Sequence, residues 1–195
     1  MSNSDSIKAI TSKIFQMKNY KLIFLLICIL GTFHVQAQVV SKTLVIGQFD
    51  KPDERYAIEV AITDLFTKNG VPSVPSLNVI KQGADPSILA QDSIQSMLKQ
   101  AGIDRIAIVN VRGYDRRFKI SDVETSLKET LGRTSIYHIY REEATSVSFE
   151  FSFYKENKMV FRDILKCGNV SDRDSVIKRI RKKLPKRMAK KWSRN

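Results

Sequence analysis

Thr145-Ser146-Val147-Ser148-Phe149-Glu150-Phe151-Ser152-Phe153-Tyr154 runs into Lys155-Glu156-Asn157-Lys158 and then into an apolar return over residues 159–167. This stretch decides the fold. Thr145, Val147, Phe149, Phe151 and Phe153 alternate with Ser146, Ser148, Glu150, Ser152 and Tyr154, and a period of two puts the sets on opposite faces of a strand. The expectation is one buried face and one wet face. The four polar residues make a turn, so the return pairs back as the second arm of an antiparallel hairpin. Phe151→Ala is then expected to cost about 3–5 kcal/mol, and Glu150→Ala about half a kcal/mol or less.

Upstream, Thr43-Leu44-Val45-Ile46-Gly47-Gln48-Phe49 is a short, nearly continuous apolar run ending at Asp50 and Pro52, which reads as a buried first strand. Over 53–69, Ile58, Ala61, Ile62 and Leu65 recur at helical spacing, and Gly70 follows where a left-handed terminator is wanted. Residues 71–80 are β-branched but carry Pro72 and Pro75, so they make an edge strand or an extended arm. Asp85-Pro86 supplies a cap and a preset first residue for a helix with Ala90, Ile94, Met97, Leu98 and Ala101 on one face, stopped by Gly102. Residues 103–111 form a second buried strand. Downstream of the hairpin, Ser171 with Asp174 forms a capping box for a terminal helix over 171–192.

The order is therefore β-α-β-α-β, an insert over 112–143, a β-hairpin and a final α. Parallel crossovers followed by an antiparallel hairpin imply an α/β (α+β) fold, with a mixed sheet of about five strands and helices packed on it. The insert carries its own small helix: Ser121 and Glu124 as a capping box, Leu127 and Leu131 on a face, and Gly132 as its stop. Arg116 and Arg117 precede it, and Tyr137, His138 and Tyr140 follow it. Connections this long inside a domain tend to be functional or mobile.

The N-terminal region reads as a secretory signal peptide over 17–37. It has the cationic start Met17-Lys18-Asn19-Tyr20-Lys21, an apolar core over 22–33 and, in Val35-Gln36-Ala37, a cleavage site with small residues at −3 and −1. Residues 1–16 add nothing to that signal and are expected to be an over-extended start, leaving one domain over 38–195. The other reading is an uncleaved anchor, although 22–33 falls short of the roughly 20 residues a bilayer span needs. Leu26 and Ile27 before Cys28 do not make a lipobox. The net charge of +13 is unevenly placed: residues 171–195 hold eleven basic side chains against Asp172 and Asp174, while 38–170 is close to neutral. With Cys28 in the signal, Cys167 alone cannot make an internal disulfide, and its apolar strand-like surroundings favour a buried inert thiol over an intermolecular bridge.

No nucleophile elbow, phosphate loop or metal spacing stands out, so the expectation is no enzyme, no cofactor and no metal. Val176, Ile180, Leu184, Met188 and Trp192 recur by fours on the terminal helix, with Lys and Arg around them. The stripe either packs on the sheet or, past the helix-breaking Pro185, frees a cationic segment to meet an anionic membrane or an acidic partner. Candidate contact residues are Lys182, Lys183, Lys186, Arg187, Lys190, Lys191 and Trp192, with Arg116, Arg117, Tyr137 and Tyr140 of the insert. Truncation after Leu184 is expected to leave the melting temperature within a few degrees. Export argues against a nucleic-acid partner, and oligomeric state is not readable.

Several pieces also resemble a family. Leu44-Val45-Ile46-Gly47-Gln48-Phe49, Leu65-Phe66-Thr67-Lys68-Asn69-Gly70, Ala101-Gly102-Ile103-Asp104-Arg105-Ile106-Ala107-Ile108-Val109 and the hairpin around Phe153-Tyr154-Lys155 look like small bacterial envelope domains. These are the N-terminal domain of the Tol-Pal protein TolB, the curli secretion channel subunit and related envelope lipoproteins. The resemblance implies a periplasmic or otherwise exported accessory or assembly domain that is not catalytic and works with an envelope protein partner. The alternative is a peripheral membrane or ligand-binding protein using its basic terminal helix.

Overall fold

In the computed structural model, which describes residues 41–192 except 50, 82, 83 and 134, the first apolar run forms β1 (Lys42–Gly47), buried from Thr43 onward. The signal-like segment 17–37 and the start before it lie outside the described residues. α1 (Pro52–Lys68) begins on a proline that presets its first turn, with Asp53 and Glu54 complementing the helix dipole. Gly70, at φ +81°, turns the chain away after it. β2 (Ser73–Pro75) pairs parallel with β1, held to three residues and to the sheet edge by Pro72 and Pro75.

β3 (Ile103–Tyr114) lies parallel on the other side of β1, placing Leu44 beside Ile106 and Ile46 beside Ile108. β4 (Ser146–Lys155) and β5 (Lys158–Gly168) are the expected hairpin. Glu156 and Asn157 at φ +48° and +64° give the two-residue turn whose twist suits paired strands. The sheet runs β2-β1-β3-β4-β5, parallel in its first three strands and antiparallel in the rest. The α/β assignment with about five strands holds.

Both faces are covered. α1 and α4 (Arg173–Arg187) close one, burying Ile58, Ile62, Phe66, Val176, Ile180 and Leu184 against Val45, Val109, Phe149 and Phe151. Cys167 sits in this layer, fully buried, and burial pushes its thiol up to about 11, which fits the inert thiol. The other face packs Leu44, Ile46, Ile106, Ile108 and Tyr154 against Leu89, Leu98 of α2 (Asp92–Gln100) and Leu127, Leu131 of α3 (Leu127–Leu131). At the end of β3 the register shifts between Val111 and Gly113. Gly113 has φ +146°, and a Cβ there would come within 2.7 Å of the Phe118 ring. The glycine lets that ring settle on the strand and start the insert.

Five expectations need correction. The second face of β4 is not wet: Ser146, Ser148, Glu150, Ser152 and Tyr154 are all at most 7% exposed. The insert lies over them, tied down where Arg162 of β5 donates to the Ser121 and Val123 carbonyls at 3.1 Å and to Thr125 Oγ1 at 3.2 Å. The helix expected after Pro86 is two pieces, a 3₁₀ turn (Pro86–Ala90) and α2. Gln91 between them is extended, so the predicted single stripe is broken; Ala101 and Met97, the latter 46% exposed, are left outside. Asp85 does cap as expected, accepting from Ser87 N at 2.8 Å.

The insert helix starts later than read. Ser126, accepting from Glu129 N, caps α3, whereas the Ser121 hydroxyl accepts only from Val123 N. The terminal capping box is one residue further on: Asp172 accepts from Ser175 N at 2.6 Å, and Ser175 Oγ accepts from Asp172 N at 3.1 Å. Pro185 does not end the helix. α4 runs through it into a π-helical turn (Met188–Trp192) in which Met188 is buried.

Candidate interaction surface

α4 sorts its side chains into three stripes. Val176, Ile180, Leu184 and Met188 face the sheet. Two residues on, about 200° around a helix, Lys178, Lys182, Lys186 and Lys190 point outward with Arg181 beside them. All five are exposed, and no ion pair among the described residues engages them. Lys191 is exposed next to this row.

The third stripe folds back on the edge strand. Arg179 Nε donates to the Asn169 carbonyl at 3.3 Å, Lys183 Nζ to the Lys166 carbonyl at 2.8 Å, and Arg187 Nη2 to the Ile164 carbonyl at 3.2 Å. Carbonyls of Ile164 and Lys166 that meet the helix point away from β4, so these cations cover the acceptors of an otherwise open sheet edge. That blunts strand addition. At the other edge β2 is short and bounded by prolines, with the same effect.

Arg187 and Trp192, expected as solvent-facing contacts, are structural. Arg187 Nε and Nη2 donate to both carboxylate oxygens of Asp163 at 2.5 and 2.6 Å, and Trp192 Nε1 donates to Asp163 at 2.9 Å. The indole packs 5.1–5.7 Å from the rings of Phe66, Phe151 and Phe153. Asp163 is 1% exposed. Burial alone would raise its pKa, but the Arg187 guanidinium and the indole N–H outweigh that and hold the carboxyl below the ordinary range.

The sign of the pH effect follows. A depressed folded pKa adds stability that is complete above the unfolded value near 3.9 and lost as pH falls through the folded value. Asp163→Asn is therefore expected to be less stable at neutral pH and to show a flatter urea midpoint between about pH 5 and 2 than the parent. Equal slopes for the two proteins would show that Asp163 contributes nothing to acid unfolding.

The insert residues lie elsewhere. Arg116 and Arg117 are exposed just beyond β3, and no hydrogen bond or ion pair among the described residues joins them to the ridge. Tyr137 stands edge-on to Tyr114 with centroids 5.7 Å apart, and Arg141 lies over the Tyr114 ring at 4.9 Å. Tyr140 is half-buried against the α1 and α4 layer. Glu54 pins this segment, accepting from Ile139 N at 2.9 Å with His138 Nδ1 at 3.7 Å. Of the candidates, Lys182, Lys186, Lys190 and Lys191 share one surface; Lys183, Arg187 and Trp192 hold the fold.

Other carboxylates are likewise engaged. Glu59, fully buried, accepts from Gly47 N, Arg55 Nε and Ser76 Oγ at 2.7–3.0 Å. Asp115 accepts from the Thr145 and Ser146 amides at 3.0 and 2.8 Å. Among the described residues no group of three His, Cys, Asp or Glu could hold a metal ion, and no helix is long and apolar enough to cross a membrane.

No family model and no curated protein matches the chain. Among solved structures, lipoprotein GNA1162 from Neisseria meningitidis is similar at 10% identity over 76% of this chain and 98% of that one, with a TM-score of 0.38. PelC from Paraburkholderia phytofirmans, crystallised as a dodecamer, is similar at 12% identity over 75% and 86%, with a TM-score of 0.41. At these values neither protein bears on the function of this chain.

Proposed function

We propose that this protein is an exported, non-catalytic accessory of the cell envelope that works by docking an acidic surface of a partner protein. One observation carries the reading: the apolar stripe of α4 is already packed in the core, so its outward lysines form a fixed ridge. A helix that lies in a membrane needs its apolar face free to enter the acyl boundary. Here that face is unavailable, and the ridge can act only through charge. Glu59 and Asp115 hold backbone, hydroxyl and arginine groups, which supports the non-catalytic reading. The compartment rests on the signal-like segment 17–37, and the kinship with envelope assembly domains on the sequence resemblance.

The test is a quadruple reversal, Lys178→Glu, Lys182→Glu, Lys186→Glu and Lys190→Glu. Its melting temperature is expected to stay within a few degrees, because exposed substitutions each change stability by about half a kcal/mol or less. Affinity capture from envelope extract should recover an acidic partner with the parent protein, weaken with added salt, and fail with the reversed one. Equal recovery by both proteins defeats the proposal. Binding to phosphatidylglycerol vesicles with no recoverable protein partner would replace it with a membrane role.

A further inference from the structure

α1 and α4 lie side by side on one face of the sheet and run the same way. Arg173 Nη1 donates to Asp53 at 2.6 Å where both helices begin. Where they end, the Trp192 indole meets the Phe66 ring with centroids 5.7 Å apart. Glu59 turns one side of α1 toward Ser76, and Lys183 turns one side of α4 toward the β5 edge. The opposite sides, carrying the half-buried Ala57 and Ile177, therefore meet along a seam between the helices.

Two unlike rows flank that seam. On α4 it is the lysine ridge. On α1 it is Tyr56 and Val60, each two residues from the buried Ile58 and so about 200° around the helix from it. They are 57% and 42% exposed. Counting along the parallel helices from the Asp53–Arg173 pair brings them level with residues 176–180, beside Lys178 and Lys182. The α1 carboxylates nearby are already paired, Asp53 with Arg173 and Asp64 with Lys68 at 2.6 and 2.9 Å. Asp174, in the first turn of α4, is outnumbered by Lys178, Arg181, Lys182 and Lys186.

This arrangement selects the form of an occupant. Its charge must be negative to complement the ridge. Tyr56 and Val60 make an apolar line only about 6 Å long, a seat for one or two side chains rather than a surface that enters an acyl boundary. Both sheet edges are blunted, so a partner does not add as a strand. A straight seam between two helices takes a third helix. Carboxylates four residues apart on that helix rise by about 6 Å, the rise between successive lysines of the ridge. We infer that the α1–α4 face receives an acidic amphipathic helix of a partner protein, its apolar stripe on Tyr56 and Val60 and its carboxylates along Lys178, Lys182 and Lys186. The inference rests on the docking of an acidic partner proposed above and adds the partner's secondary structure and its apolar anchor.

The experiment uses two labelled 18-residue peptides of Leu, Ala and Glu, one with leucines on a single helical stripe flanked by glutamates, the other the same composition scrambled. Fluorescence anisotropy with the full protein should show saturable binding of the first, at least tenfold tighter than the second, with a gain of helical circular dichroism on binding. Tyr56→Ala with Val60→Ser should weaken the amphipathic peptide about tenfold and leave the scrambled one unchanged. Both side chains are exposed, so the melting temperature should stay within a few degrees; should it fall, Tyr56→Gln alone gives the same comparison. The quadruple lysine reversal should abolish binding of both peptides. If the reversal abolishes binding while the Tyr56 and Val60 variant binds as the parent does, the ridge reading stands and this inference is overturned. Equal affinity for the two peptides, binding without gain of helix, or no saturable binding also overturns it. So does a variant that loses phosphatidylglycerol vesicles but not peptide, which would assign Tyr56 and Val60 to a membrane. Peptide binding that survives the reversal removes the ridge reading and the inference with it.

Discussion

A chain ended after Leu184 is expected to lose most of its stability, against the small change that the sequence suggests. Removing Trp192 empties the space between Phe66, Phe151 and Phe153, and aromatic truncations in cores cost about 3–5 kcal/mol. Removing Arg187 strands a carboxylate that is 1% exposed, and breaking a buried pair from one side costs about 3–5 kcal/mol more. The two effects share Asp163, so they do not simply add. Even the lower end is a large part of the 5–15 kcal/mol that holds a typical domain. At about 2–4 °C per kcal/mol for a domain this size, thermal circular dichroism should show a fall of roughly 15 °C or no transition at all. Lys186→Ala and Lys190→Ala, from the outward stripe, should barely move it. A truncated chain that melts within a few degrees of the parent would return Arg187 and Trp192 to the solvent.

The misjudged tail shows where sequence reading stops. Strand and helix positions were legible because apolar period alone reports them: β1, α1, β3 and the hairpin lie within a few residues of their expected bounds. The sequence alone points to a break at Pro185, because proline removes one helical hydrogen bond. That local loss is outweighed by a tertiary gain, the indole and guanidinium seated on the sheet. One signal was available. Asp163 shares the inward parity of Phe161, Leu165 and Cys167, and a carboxylate facing a core requires a cation from somewhere. Arg162 and Lys166 nearby have the opposite parity, so the supply is the terminal helix. No comparable signal marks the second face of β4, since alternating serines look the same under water and under an insert. Tyr56 and Val60 come level with the lysine ridge only once α1 and α4 are seen to run parallel, so the face they share is not readable from the sequence.

Phe151→Ala is expected to give the largest loss of any single side chain, about 3–5 kcal/mol. Phe151 is fully buried on a strand flanked on both sides, opposite Val109 of β3 and Asp163 of β5, with the Trp192 ring 5.3 Å away. Neighbouring strands hold the backbone apart, so the cavity cannot collapse, and the ring contact adds about 0.5–1.5 kcal/mol. Glu150, one residue along, is no longer the neutral comparison that an exposed side chain would have been. Its removal leaves the largely buried Arg162 guanidinium without its carboxylate, so Glu150→Ala should cost about 1–3 kcal/mol. The neutral control is Val160→Ala, 55% exposed, expected within about half a kcal/mol of the parent. Urea unfolding of the three variants gives the order Phe151, Glu150, Val160. If Phe151→Ala does not fold, Phe151→Leu should remain measurable at a cost of about 1.5 kcal/mol. A Phe151 loss no greater than that of Val160 would mean that the centre of β4 does not face the α1 and α4 layer, and the packing of both helices would have to be redrawn.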